Sequence, residues 1–133
     1  MHSINYHDAF IAVSEDCAAE FGTLPPNPGT VAALQYQMLA EAPYTMTSDD
    51  LLVAVTATRR DVPRDEWPAL REEIFAKPQA CLRASPLVKT YGWGLHHDAE
   101  GRVALIARET ADYGRCVSDK PLTRTRGMRS RKA

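Results

Sequence analysis

The sequence predicts an α+β fold in a single domain, with a small, mostly antiparallel sheet of about four strands and two main helices packed on one face. Three observations support this fold class. Short apolar segments rich in β-branched residues alternate with two longer segments of helical periodicity. A tight turn joins two consecutive predicted strands, as in antiparallel hairpins. With 133 residues, of which 44% are hydrophobic and 25% charged, the chain can bury one core.

The first predicted strand covers residues 8–14, a short apolar segment with β-branched members. Residues 15–29 are predicted to form a loop. Three prolines within residues 25–28 have restricted φ angles and lack the N–H groups that regular secondary structure uses.

The first predicted helix runs from Val31 to Ala42. Thr30 is its predicted N-cap, because a threonine hydroxyl can accept a hydrogen bond from a free N–H of the first turn. Pro43 ends the helix, since the residue before a proline is disfavoured in the α conformation. Apolar residues at helical spacing form one stripe, which comprises Val31, Leu34, Met38 and Leu39.

The segment LLVAVTATRR, residues 51–60, has two interpretations. Valine and threonine lose side-chain freedom in a helix, which favours a strand over residues 51–58. Thr47 followed by Asp50 matches instead a capping box at the start of a helix. We predict the strand, with the capped helix as the alternative.

The second predicted helix covers residues 66–77, after a turn over residues 61–64. Asp65 is its predicted N-cap, and Pro68 falls in the first turn, where its missing N–H would have no partner within the helix. Pro78 closes the helix. A predicted core-facing stripe comprises Trp67, Leu70, Ile74 and Phe75.

Residues 88–97 and 102–109 are predicted to pair as a hairpin. Its turn spans residues 98–101, with Gly101 suited to a left-handed backbone conformation. A short helix or turn is predicted from Thr110 to Val117. The predicted domain therefore covers residues 1–119 and is followed by a basic tail, residues 120–133. A more open αβ sandwich with a parallel strand pair is the alternative architecture.

The charge of the chain is unevenly distributed. Six of the 16 lysines and arginines lie after Asp119, and none of the 17 acidic residues does. A basic tail on an acidic body can bind nucleic acid or an anionic protein surface. The tail can equally lie against its own body, and this structural or solubilising role is favoured over nucleic-acid binding, because six charges are few and no aromatic residue is interleaved to stack on bases.

Composition excludes several classes of protein. No apolar run approaches the roughly 18–20 residues that span a bilayer, and the start MHSINYHDAF lacks the regions of a signal peptide, so a cytoplasmic protein without membrane association is expected. Cys17, Cys81 and Cys116 form no CxxC pair, and neither a disulfide framework nor a zinc site is expected. No nucleotide-binding or serine-hydrolase motif occurs, and no cofactor or metal is predicted.

Polar side chains that could take part in binding or catalysis are concentrated in residues 81–97. If the chain is extended there, Cys81, Arg83 and Ser85 share one side. A thiolate phosphatase loop needs an arginine six positions after its cysteine, and Leu87 occupies that position. An anion-binding rim around Arg83, Ser85 and Lys89 remains the hypothesis.

The remaining candidates lie on the first arm of the hairpin. Gly92 and Gly94 leave backbone uncovered opposite Tyr91 and Trp93, which favours packing of a neighbouring helix there, with a shallow ligand groove as the alternative. Either His96 or His97 could act as a general base, but adjacent strand residues point to opposite faces, so at most one belongs to a site, and His96 is the candidate. The predicted ligand-binding residues are thus Cys81, Arg83, Ser85, Tyr91, Trp93 and His96.

Several segments resemble a known group of sequences. CLRASPL, YGWGLH, EGRVAL and MRSR, together with TSDDLLVAVTATRR, are similar to segments of a family of small, single-domain bacterial proteins of uncharacterised function. The resemblance implies one compact domain and assigns no catalytic residue.

The leading functional hypothesis is a domain that binds a small molecule or anion around residues 81–97, with or without catalysis. Convergence of Arg83 and His96 in one cavity would support it. The alternative is a nucleic-acid or protein interaction module that uses the basic tail. A homo-oligomer formed through an exposed strand edge is a third possibility.

Overall fold

Four strands form one mixed sheet in the computed structural model, which describes residues 2–119 and 121–130. The strands are β1 (Ala9–Ala12), β2 (Trp93–His97), β3 (Val103–Ala107) and β4 (Thr123–Arg126). Their order across the sheet is β3-β2-β1-β4. β2 pairs antiparallel with both β1 and β3, and β4 pairs parallel with β1. The predicted α+β fold with a mostly antiparallel sheet of four strands is confirmed.

In these described ranges, five α-helices accompany the sheet. They are α1 (Val31–Glu41), α2 (Ser48–Arg60), α3 (Trp67–Phe75), α4 (Pro86–Lys89) and α5 (Ala111–Ser118). Two single 3₁₀ turns, Arg64–Glu66 and Leu82–Ala84, precede α3 and α4. Within the described ranges, no helix is long and apolar enough to cross a membrane.

The main core lies between one face of the sheet and helices α1, α2 and α4. Strand register places Ile11, Leu95 and Leu105 side by side on this face. They pack against apolar residues of the three helices, including Leu39, Leu51, Val55, Leu87 and Val88. A second core cluster joins α2 to α3 and to Ile4 of the N-terminal segment. α3 therefore packs on α2 rather than on the sheet.

α5 covers part of the opposite face. The ring of Tyr113 lies edge-on to Phe10 of β1, with centroids 5.2 Å apart. The Tyr113 hydroxyl accepts a hydrogen bond from Val13 N at 2.9 Å. Gly94 is required beneath this pair, because a Cβ there would lie 2.5 Å from the Phe10 ring.

Several predicted elements are confirmed. The first strand, the proline-containing loop, the helix from Val31, the hairpin and the short helix after Thr110 all form. Thr30 caps α1 by accepting from Ala33 N, and Gly101 adopts a φ of 80° in the turn of the hairpin. Local hydrogen bonding and backbone sterics therefore specify these elements.

The strand prediction for residues 51–58 is wrong, because this segment lies in α2. Thr47 Oγ1 accepts from Asp50 N, and Asp50 Oδ2 accepts from Thr47 N, each at 3.1 Å. This capping box satisfies two N–H groups of the first turn. The low helix propensity of valine and threonine costs only a few tenths of a kcal/mol per residue, which burial of Leu51, Val53 and Val55 exceeds.

Three further predictions are corrected. Residues 81–85 are not extended, because Leu82–Ala84 forms a 3₁₀ turn and Ser85 caps α4 by accepting from Leu87 N. The first arm of the hairpin begins at Trp93, since Val88 and Lys89 belong to α4. Asp65 lies within the 3₁₀ turn before α3 and does not cap that helix.

The fourth strand comes from the basic C-terminal segment. Thr123 N donates to Asp8 O at 2.9 Å, and Gly127 N donates to Ala12 O at 2.8 Å, at the two ends of the parallel pairing. Part of this segment is therefore built into the sheet. Three basic residues of the predicted tail, Lys120, Arg131 and Lys132, lie outside the described residues.

Candidate functional site

Cys81 and Arg83 lie together near the end of β4. The Tyr6 hydroxyl donates to Cys81 Sγ at 3.2 Å, and Arg83 Nε donates to Arg126 O at 2.6 Å. Burial, followed by the hydrogen bond to Cys81, raises the pKa of Tyr6 to about 12. Arg83 O also accepts from Met128 N at 2.7 Å, so this arginine ties the C-terminal segment to the domain.

Ser85 is buried and satisfied internally. Its hydroxyl donates to Gln35 Oε1 of α1 at 2.7 Å and accepts from Leu87 N at 3.1 Å. These bonds fix the start of α4 against α1. Ser85 itself is only 4% exposed, which leaves almost no surface for a ligand to contact.

Tyr91 and Trp93 contact the proline-containing loop. Trp93 Nε1 donates to Thr23 O at 2.8 Å, and Thr23 N donates to Tyr91 O, also at 2.8 Å. Gly92, with a φ of 79°, closely approaches the backbone of Phe21. The loop thus occupies the space beside Gly92, whereas Phe10 and Tyr113 occupy the space beside Gly94.

The adjacent histidines point to opposite faces of β2, as strand alternation predicts. The Tyr44 hydroxyl lies 2.8 Å from His96 Nδ1 on the face that α5 partly covers. His97 is fully buried on the core face. Among the described residues, no hydrogen bond or ring contact joins His96 to Arg83. The six predicted site residues are therefore distributed over separate places.

His97 belongs to a buried polar cluster. Its Nε2 lies 3.2 Å from Ser48 Oγ, and its ring lies 5.3 Å from that of Tyr6. Burial lowers the pKa of His97 to about 4, and the nearby charge of His96 acts in the same direction. Ser48 and His97 have no exposed surface, so this pair cannot meet a substrate.

A cleft of about 380 Å³ lies between α1, α2 and α3, and we call it the helical cleft. Its lining residues are Met38, Thr45, Met46, Asp50, Val53, Ala54, Arg64, Trp67 and Arg71. The volume is within the range of small-molecule sites, about 300–1,000 Å³. An adjoining groove of about 480 Å³ shares Val53, Arg64, Trp67 and Arg71 with it. The helical cleft is the best candidate site in the described part of the chain.

Two arginines supply the positive charge of the helical cleft. The guanidinium of Arg64 lies over the Trp67 ring, with its central carbon 4.5 Å from the ring centroid. Arg71 pairs with Asp50 at 2.5 Å. Within residues 2–119 and 121–130, no carboxylate pairs with Arg64. Its N–H groups therefore remain able to bind an anion.

Asp50 has a double role at the edge of the cleft. It closes the capping box of α2 with one oxygen and holds Arg71 with the other. Burial opposes its ionisation, but hydrogen bonds from Thr47 N and from Arg71 lower its pKa below the ordinary value. Asp50 is consequently a fixed negative charge at neutral pH.

The sequence does not predict the helical cleft. Its apolar stripes place Trp67 and Met38 in the core, and Arg64 lies in a predicted turn. One signal was present, since Arg64, Trp67 and Arg71 are spaced i, i+3 and i+7, which places them on one helical face. The contribution of Met38 and Met46 from outside that helix depends on tertiary packing.

Among residues 2–119 and 121–130, no group of three or more histidine, cysteine or acidic side chains could hold a metal ion. Cys17, Cys81 and Cys116 are free thiols.

Comparison with known proteins gives a family but no activity. Neither the curated proteins nor the solved structures contain a significant match to this chain. The family model described as a family of unknown function, DUF6157, matches residues 1–133. The resemblance to an uncharacterised family is thereby confirmed, and the chain belongs to DUF6157.

Proposed function

We propose that this protein binds a small anionic molecule in the helical cleft. The observation that carries the proposal is the exposed guanidinium of Arg64, stacked on Trp67 and free of any carboxylate among the described residues. A planar cation held on an aromatic ring keeps its N–H groups in one plane, which suits a carboxylate or phosphate.

Apolar contacts complete the proposed site. Met38, Met46, Val53 and Ala54 line the cleft beside the two arginines. Small-molecule sites typically combine such apolar walls with a few polar groups that fix orientation. The lining residues include no histidine or cysteine, so binding rather than a reaction is proposed.

Arginine substitutions test this function. Thermal unfolding and calorimetric titration with a panel of carboxylates and inorganic phosphate should detect binding to the wild-type protein. Arg64→Gln should weaken that binding by about tenfold or more, because it removes a charge-assisted contact.

Two control variants locate the site. Arg102→Gln changes an exposed arginine of the hairpin and should leave binding unchanged. Arg83→Gln tests the other candidate, the anion-binding rim proposed around residues 81–97. Loss of binding in Arg83→Gln but not in Arg64→Gln would contradict the helical cleft and favour that rim.

A second candidate function uses the edge strand β4. Arg124 and Arg126 are exposed on this strand, which pairs with β1 on one side only. We propose, as the alternative, that this edge contacts an anionic macromolecule in the cytoplasm. Binding to DNA, RNA or an acidic protein should then fall steeply with salt and weaken in Arg124→Gln/Arg126→Gln. Binding that does not depend on salt concentration would contradict this alternative.

A further inference from the structure

We infer that the ligand of the helical cleft is an amphipathic monoanion, a single carboxylate on an apolar body, rather than a phosphate or other dianion. The inference rests on the proposed function and narrows the class of ligand. It follows from the charge balance and the lining of the cleft.

The charged side chains that line the cleft carry one net positive charge. Arg64 and Arg71 contribute two positive charges, and Asp50 contributes one negative charge. The carboxylate of Asp50 is fixed at the cleft, because Thr47 N and Arg71 both donate hydrogen bonds to it. A monoanion would neutralise the remaining positive charge. A dianion would instead bring uncompensated negative charge towards Asp50, which is unfavourable at short range.

The position of the free charge favours a terminal carboxylate. Arg64 lies on the face of Trp67, while Arg71 and Asp50 already satisfy each other. The strongest available anion contact is therefore a single guanidinium, which matches the two oxygens of one carboxylate in a bidentate arrangement. A phosphate would present further oxygens for which the cleft has no second free cation among its lining residues.

The lining of the cleft favours an apolar body. Two methionines, Val53 and Ala54 form a wall next to the charged groups. Methionine side chains are flexible and polarisable, so they adapt to chains or rings of different shape. Binding should therefore depend on the attached hydrocarbon as well as on the carboxylate.

Four related compounds and inorganic phosphate separate these requirements. Octanoate carries one charge and an apolar chain, octanamide has no charge, suberate has a charge at each end, and acetate lacks the chain. Calorimetric titration below the micellar range of octanoate should show that octanoate binds at least about tenfold more tightly than any of the others. Arg64→Gln should remove the preference for octanoate over octanamide, because these two compounds differ in charge and not in the chain.

A charge variant tests the role of Asp50. Asp50→Asn removes the negative charge and keeps an oxygen that can accept from Thr47 N. It should raise the affinity for suberate and phosphate relative to octanoate by about tenfold. The unfolding temperature and circular dichroism of Asp50→Asn establish that α2 still forms.

The outcomes distinguish this inference from the proposed function. If phosphate or suberate binds more tightly than octanoate, and Arg64→Gln abolishes that binding, the monoanion inference is wrong and the anion site stands. If octanamide binds as tightly as octanoate, or no anion binds in an Arg64-dependent manner, the proposed function fails as well.

Discussion

Ser48 Oγ lies 3.2 Å from His97 Nε2, and both residues are fully buried. The residue types are those of a nucleophile and its base, but their burial makes the contact a structural link between α2 and β2. Asp49 and Asp50, which follow Ser48, point to other partners. Asp49 holds the N-terminal segment, and Asp50 holds Arg71 at the helical cleft. The first turn of α2 thereby joins three parts of the molecule.

The buried imidazole of His97 predicts a loss of stability in acid. Its pKa falls from the ordinary 6.5 to about 4 on folding. Above pH 6.5 both states are neutral and His97 contributes no pH dependence. Between pH 6.5 and 4 the unfolded state binds a proton that the folded state does not. The free energy of unfolding should therefore decrease by about 3 kcal/mol over this range.

Denaturant unfolding at several pH values measures this effect. His97→Gln should abolish this component of the pH dependence, whereas His2→Gln, at an exposed N-terminal position, should retain it. An identical acid slope in the wild-type protein and His97→Gln would show that His97 is not the group responsible.

The buried carboxylate of Asp49 should contribute strongly to stability. It accepts from Ser3 Oγ at 2.7 Å and from Ile4 N at 2.8 Å. Asp49→Ala leaves these donors without their partner, and we expect a loss of about 2–3 kcal/mol in the free energy of unfolding. Chemical denaturation measures the loss. Glu20→Ala, in the exposed loop, should change stability by less than about 0.5 kcal/mol.

Two glycines should respond in opposite ways to alanine. A Cβ at Gly94 would lie 2.5 Å from Phe10 and 2.9 Å from Tyr113, whereas a Cβ at Gly114 of α5 would meet nothing within 4 Å. Gly94→Ala should destabilise the protein by about 1–3 kcal/mol through overpacking. Gly114→Ala should stabilise it by about 0.5–1 kcal/mol, because alanine favours the helix. Unfolding temperatures of the two variants test the pair, and stabilisation by Gly94→Ala would contradict the packing described.

Arg83 should hold the C-terminal strand in place. Its side chain donates to Arg126 O, and its backbone carbonyl accepts from Met128 N. Arg83→Ala should increase amide hydrogen exchange in β4 by about threefold to tenfold, corresponding to a lost hydrogen bond of about 1 kcal/mol. Exchange in β2 and β3 should be unaffected. Unchanged protection of residues 123–127 would show that this contact does not stabilise the strand.

Much of the local structure could be predicted because its causes lie within a few residues of each other. The cap of α1 depends on Thr30 and Ala33, three positions apart. The turn of the hairpin depends on Gly101 adopting a positive φ. The capping box between Thr47 and Asp50 also indicates α2, whereas the propensities of valine and threonine indicate a strand. There the local hydrogen bonds and helix packing prevailed over intrinsic side-chain preference.

The fold class, the hairpin and the starts of α1, α3 and α5 therefore follow from short-range hydrogen bonds and apolar periodicity. The tertiary structure adds the pairing of Thr123–Arg126 with β1, since strands more than 100 positions apart meet through packing. It also distributed the predicted site residues over separate contacts and placed Met38 and Met46 beside Arg64 and Trp67. Contacts between distant segments depend on how the helices pack, which no local pattern specifies.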